Sequence, residues 1–209
     1  MAKKQTKNTA KQPESNIDLN PVYEAAWEVQ SFCLARQWQF CFIGGVAVQR
    51  WGEPRVTLDA DLTLITGFGD ELKFIEPLLA KFAARRPNAA QFAQVNRVLL
   101  LAASNDIPID IGLGAIPFEE NTIERASRFK VGQDRFLITC SAEDLIVHKA
   151  FANRVNDWAD IDRVLMRQRG KLNFDLVWRE LRPLIELKEA PEIEDQLKQL
   201  IAKVDRIGR

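Results

Sequence analysis

A glycine pair, Gly44-Gly45, follows a short apolar run, and two carboxylates, Asp59 and Asp61, stand at i and i+2 further along the same stretch, FIGGVAVQRWGEPRVTLDADLTLI. Glycines tolerate unusual dihedrals and let another group come close to the backbone, so an anion can lie against their N–H groups. A short helix over Val46 to Trp51 would aim its N-terminal amides and partial positive charge at the same point. Asp59 and Asp61 share one face of a strand read over Val56 to Ile65, together with Thr57 and Thr63, whereas Val56, Leu58, Ala60, Leu62 and Leu64 form the opposite, apolar face. Neighbouring carboxylates raise each other's pKa unless a cation stands between them. Mg²⁺ or Mn²⁺ suits that position, because these ions take oxygen ligands and combine carboxylates with substrate phosphates. A lone glycine pair is usually a turn, and a lone Asp-x-Asp is usually a solvated face. In this order they describe a place to hold a phosphate chain against divalent metal, which is the chemistry of nucleotidyl transfer.

A third acid falls where such a site needs one. Arg97 to Ala103 and Ile107 to Leu113 read as two strands joined by a Ser104-Asn105-Asp106 turn. Asp110 is the only ionisable group of the second strand and lies opposite its apolar face. It can complete a metal site with Asp59 and Asp61 and act on an attacking hydroxyl, or it can simply be the exposed side of a half-buried strand. Further on, Ser141 and Asp144 form a helix-start signal ahead of Lys149, Arg154, Asp157 and Asp160. Lys149 and Arg154 could reach a cleft from that helix, where one of Asp157 and Asp160 would orient a cation or the acceptor. The bland alternative is a solvated helix face. Arg55 is a second cation for a triphosphate, or a charge at a sheet edge. His148, the single histidine, reads as structural.

These motifs resemble the nucleotidyltransferase superfamily with the polymerase-beta-like minimal core. The segment from Ser141 to Asp160 is similar to the lysine, arginine, aspartate helix of the subgroup that includes AbiEii-like toxins of toxin-antitoxin pairs. The resemblance covers about Phe40 to Leu165. It implies an α/β fold with a mixed sheet flanked by helices, and a nucleoside triphosphate as substrate with Mg²⁺ or Mn²⁺. Gly44, Gly45, Arg55, Thr57, Lys149 and Asp160 would bind the nucleotide, with Asp59, Asp61 and Asp110 as catalytic metal ligands. The acceptor is left open between RNA, a protein side chain and a small molecule, and a cognate antitoxin is an implied partner. One departure stands out: the family often has serine in or just after the glycine pair, where this chain has Gly45 and Val46. The alternative reading is therefore a nucleotidyltransferase-like binding or interaction module that keeps the fold without turnover.

The positioning elements follow from hydrophobic periodicity. Pro21 to Trp38 reads as an amphipathic helix, Gln39 to Ile43 as a buried strand, and Asp70 to Ala84 as a helix interrupted by Pro77. A loop is expected to about Thr139, then helices to the end, the last carrying Ile193, Leu197, Leu200, Ile201 and Val204 on one face. This divides the chain into a polar tail over 1–16, expected to be disordered, a core over 17–140, and a helical region over 141–209 that completes the cleft.

Lys and Arg balance Asp and Glu at 29 each, which disfavours a dedicated duplex binder and leaves only local basic patches such as Lys81, Arg85 and Arg86 for nucleic acid. Three scattered cysteines without a C-x-x-C pair argue against disulfides and structural zinc and for a reduced, cytoplasmic setting. No apolar run reaches membrane-spanning length.

Overall fold

The computed structural model describes residues 20–207; the segment 1–16 expected to be disordered lies outside the described residues. The chain opens with helix α1 (Pro21–Leu34), capped by the Asn20 side chain, followed by strand β1 (Phe40–Phe42) and helix α2 (Gly44–Trp51). Strand β2 (Ala60–Ile65), helix α3 (Leu72–Lys81), the short strand β3 (Ala83–Ala84) and helix α4 (Ala89–Asn96) come next. Strands β4 (Val98–Ala102) and β5 (Pro108–Gly114) form the expected antiparallel hairpin. Helix α5 (Pro117–Glu124) and strands β6 (Ser127–Lys130) and β7 (Phe136–Thr139) follow. Four helices close the described chain: α6 (Ala142–Ala152), α7 (Val155–Arg167), α8 (Phe174–Lys188) and α9 (Glu192–Ile207).

The fold is α/β. Among the described residues, seven strands form one mixed sheet in the order β3-β4-β5-β2-β1-β7-β6, flanked by helices. The pairs β2·β5 and β1·β7 are parallel and the other four antiparallel. Strand alternation divides the chemistry between the two faces. Ala60, Leu62 and Leu64 of β2 and Ile109, Ile111 and Leu113 of β5 are buried on one face, with Val22, Ala26 and Val29 of α1 and Ile75 and Leu78 of α3. The opposite face of the same strands carries Asp61 and Asp110. A second apolar core, including Val48 of α2, Leu145 and Ile146 of α6, Ile161 of α7 and Leu181 of α8, gathers the C-terminal helices. No described helix is long and apolar enough to cross a membrane.

Several boundaries differ from the sequence reading. The acidic strand begins at Ala60 rather than Val56, since β2 has neighbours on both sides only once β1 and β5 are alongside. Residues 53–58 have no regular structure, and Val56 and Leu58 are 81% and 72% exposed instead of packed. The first helix stops at Leu34, and Gln37 takes a positive φ of 57° in the turn. The expected loop before Thr139 contains α5, β6 and β7; β6 is a polar edge strand with a sequence, SRFK, that lacks a buried-strand signature. The helix carrying Lys149 ends at Asn153, which adopts the left-handed conformation, so Lys149 and the pair Asp157 and Asp160 sit on different helices.

Candidate active site

The β1–β2 ladder fixes one wall of a cleft. The Ile43 N–H donates to the Asp61 carbonyl at 3.0 Å, and the chain then turns directly into α2. Gly44 makes that turn with φ +54°, and a Cβ there would come within 2.7 Å of the Asp61 carboxyl carbon. Only glycine serves both demands. The Gly45 N–H bonds the Asp61 carboxylate, which directs the N-terminus of α2 at the acid. A Cβ on Gly45 would stand 2.8 Å from Cβ of Thr57 and overlap its hydroxyl. That hydroxyl also donates to Asp59 Oδ1 at 3.2 Å.

The β2–β5 register pairs Asp61 directly with Asp110. Opposed residues on adjacent strands share a face, so both carboxylates project to the same side. Asp59, just before β2, joins them along a cleft of about 380 Å³ whose lining includes Gly45, Arg55, Thr57, Lys149 and Arg154. Burial, then the charges of Asp59 and Asp110, push the Asp61 carboxyl up to about 6, against the bond from Gly45. Burial also raises Asp110, partly opposed by Arg85. The Arg85 guanidinium is ion-paired to Asp110. Among the described residues no three His, Cys, Asp or Glu side chains stand together as a ready set of metal ligands. The three acids therefore share a cleft without forming a closed ligand set.

The opposite wall is cationic, and its charges are largely engaged. Lys149 Nζ lies 2.8 Å from Asp157 and 2.9 Å from Asp160. Arg55 forks onto both Asp160 oxygens at 2.8 Å, and Arg163 reaches the same carboxylate at 3.2 Å. Asp157 and Asp160 are buried, which opposes ionisation. Hydrogen bonds from Arg154 and Lys149 to Asp157, and from Arg55 and Lys149 to Asp160, nevertheless hold both below the usual carboxylate range. Asp160 thus lies behind the wall, positioning Arg55 and Lys149. Arg154 is the outlying cation: its side chain is 75% exposed while its Nε rests 2.7 Å from Asp157.

No protein-family model matches the chain, and no curated protein matches it. Several solved structures are similar in fold, among them the following three. An antigenic nucleotidyltransferase-like protein from Paracoccidioides brasiliensis shares 14% identity over 84% of this chain and 91% of its own, with a TM-score of 0.48. The lincosamide antibiotic adenylyltransferase LnuA, bound to lincomycin, shares 14% identity over 68% and 94% of the two chains, with a TM-score of 0.47. The antibiotic-resistance factor ANT(2'')-Ia shares 11% over 88% and 94%, with a TM-score of 0.45.

Of the nine residues that the sequence points to for this site, seven (Gly45, Arg55, Thr57, Asp59, Asp61, Asp110 and Lys149) line one cleft, and Gly44 and Asp160 do not. Gly44 acts from the turn beneath Asp61, and Asp160 from behind the cations. Two contributors escaped that set. From sequence Arg85 reads only as part of a local basic patch, because its approach to Asp110 depends on pairing between strands. Asp157 was noticed as a helical neighbour of Asp160, but its hold on Lys149 requires the break at Asn153.

The crowding at Gly45 yields a prediction. Gly45→Ser, which adds the hydroxyl often found in the resembled family, is expected to destabilise the fold by roughly 1–3 kcal/mol through overpacking. Combining it with Thr57→Ala should recover much of the loss. Thermal melts of the two single variants and the double variant check this.

Proposed function

We propose that this chain is a metal-assisted nucleotidyltransferase that moves a nucleoside monophosphate from a nucleoside triphosphate to an acceptor hydroxyl. The observation that carries the reading is the pairing of Asp61 with Asp110 on adjacent parallel strands, beneath the glycine-initiated N-terminus of α2. The donor set suits Mg²⁺ or Mn²⁺: it consists of carboxylates, the cleft lining contains neither His nor Cys, and a cation would offset the burial and the repulsion from Asp59 and Asp110 that raise Asp61. Asp59, Asp61 and Asp110 would hold the ion, which when bound neutralises phosphate charge and favours an ionised nucleophile.

The protein's own groups account for the rest of the reaction. Phosphate oxygens would lie toward the Gly45 end of α2 and the outlying Arg154, with Arg55 and Lys149 adding positive field from the wall behind. The acceptor oxygen would form a new bond to the α-phosphorus as the α–β phosphoanhydride bond breaks and pyrophosphate leaves. The hydroxyl proton would pass to Asp110, whose raised pKa makes it a better base than an ordinary aspartate. Thr57 supplies a hydroxyl in the space that a side chain on Gly45 would occupy, which offsets the missing serine.

The acceptor is open among three classes: RNA, a protein side chain or a small molecule. A cognate antitoxin belongs to the reading as a partner that would restrain the activity. The test is transfer of label from each α-labelled nucleoside triphosphate, with Mg²⁺, into cellular RNA, soluble protein and small molecules. Transfer by the wild type that disappears in an Asp59→Asn, Asp61→Asn double variant supports the reading, and the labelled fraction identifies the acceptor class. Nucleotide binding without transfer into any fraction favours the second reading, a binding module without turnover. The ion pair between Arg85 and Asp110 is the observation on its side.

A further inference from the structure

Arg85 is carried to the acidic cleft by sheet register. Ala84 of β3 pairs with Leu101, the next residue, Arg85, donates its N–H to the Leu100 carbonyl at 3.0 Å, and Leu100 pairs with Asp110. Asp110 pairs in turn with Asp61. Arg85, Leu100, Asp110 and Asp61 therefore form one row across four neighbouring strands. The guanidinium crosses Leu100 and meets Asp110.

We infer that Arg85 is an internal counter-ion that competes with divalent metal for Asp110. This deepens the proposed metal-assisted reading and rests on it. Both side chains of the pair are about one-third exposed, at 31% and 33%, where an ion pair contributes little to stability. The fold nevertheless brings this arginine to the one acid that Asp59 and Asp61 need as a third ligand. A cation that takes the Asp110 oxygen held by Arg85 would displace the guanidinium, whereas one held by Asp59 and Asp61 alone need not. Arg85 thus sets the affinity of the Asp110 side of the site, and its displaced planar fork is suited to phosphate oxygens.

The test is titration of the full chain with Mn²⁺, with free ion measured by electron paramagnetic resonance. It compares wild type, Arg85→Gln, Arg85→Lys and the Asp59→Asn, Asp61→Asn double variant, with thermal melts in chelator reporting folding. Removing a unit charge in direct contact with the acid is expected to tighten Mn²⁺ binding roughly tenfold in Arg85→Gln. Arg85→Lys, which keeps the charge, should stay near wild type. Mn²⁺ binding that is unchanged or weaker in Arg85→Gln overturns the inference, even where binding lost in the double aspartate variant upholds the metal site. Absence of Mn²⁺ binding in both wild type and Arg85→Gln overturns the metal reading and the competition together. Should Arg85→Gln fail to fold, Arg85→Met carries the same expectation and the same refutation.

Discussion

Asp61→Asn should abolish nucleotidyl transfer while making the metal-free protein more stable at neutral pH. The two effects have one cause. Asp61 is pushed up to about 6 by burial and by Asp59 and Asp110, so at pH 7 the folded state holds a carboxylate in surroundings that resist its charge. A group with a raised folded pKa contributes stability that is fully present below its unfolded value and lost as pH rises through the folded value. For Asp61 the loss falls between about pH 4 and pH 6. Asparagine keeps an oxygen to accept from Gly45 and carries no charge, and is expected to gain on the order of 1–3 kcal/mol at pH 7. That corresponds to several degrees in melting temperature for a chain of this size. Melts in chelator across pH should show wild type and variant converging near pH 4 and separating above pH 6. Transfer should fall by roughly 10²-fold or more, the scale of losing a group that acts on transition-state charge. An aspartate retained only for structure would give the opposite pattern, with lost stability and no gain above pH 6.

The same titration would make metal binding at the proposed site pH-dependent. On the proposed metal site, Mn²⁺ would compete with a proton for Asp61, so affinity measured in the wild type should fall as pH drops through about 6. Asp61→Asn should lose both the affinity and this pH dependence. A wild-type affinity that is flat between pH 7 and pH 5 would remove Asp61 from the ligand set.

How far the sequence disclosed this arrangement depended on the range of the interaction concerned. The Gly44-Gly45 turn, the alternation through Ala60, Leu62 and Leu64, and the hairpin presenting Asp110 are local patterns with periods of one or two residues. They were readable because each residue's face follows from its neighbours along the chain. The pairing of Asp61 with Asp110 was only implied, since parallel register is set by packing between segments far apart in sequence. Arg85 could not be assigned at all: β3 has two residues, too few for a strand signal, and yet this short pairing delivers its side chain to Asp110. The stretch from Val56 to Leu58 misled for the converse reason. Its alternation is that of a strand, but among the described residues no strand pairs with it, and Val56 and Leu58 remain exposed. The division between α6 and α7 escaped because Asn153 alone signals it, and asparagine is common inside helices as well as at their ends.

Lys149→Met is the variant expected to cost the fold most. The Lys149 ammonium, almost fully buried, bridges Asp157 and Asp160 and so joins the end of α6 to α7. Removing it leaves two buried carboxylates short of a partner, with a loss of about 3–5 kcal/mol, the range for breaking a buried pair from one side. The remaining bonds from Arg154, Arg55 and Arg163 place the expectation toward the lower end. The pH dependence has the sign opposite to that of Asp61. The folded pKa values of Asp157 and Asp160 are lowered by their cationic partners against the effect of burial, so their contribution is present above the unfolded value and lost as pH falls through the folded one. The deficit of Lys149→Met should therefore be largest at neutral pH and shrink below about pH 4, where protonation relieves the unpaired acids. Denaturant titrations at pH 7 and pH 4 measure both limbs. Arg154→Gln is the control: its exposed guanidinium should cost less than about 1 kcal/mol while weakening nucleotide binding. The pair of variants separates two kinds of cation in the same cleft. If Lys149→Met instead proved as stable as wild type at pH 7, the lysine would not be bound up in the wall, and it, more than Arg154, would be the side chain free to meet the triphosphate.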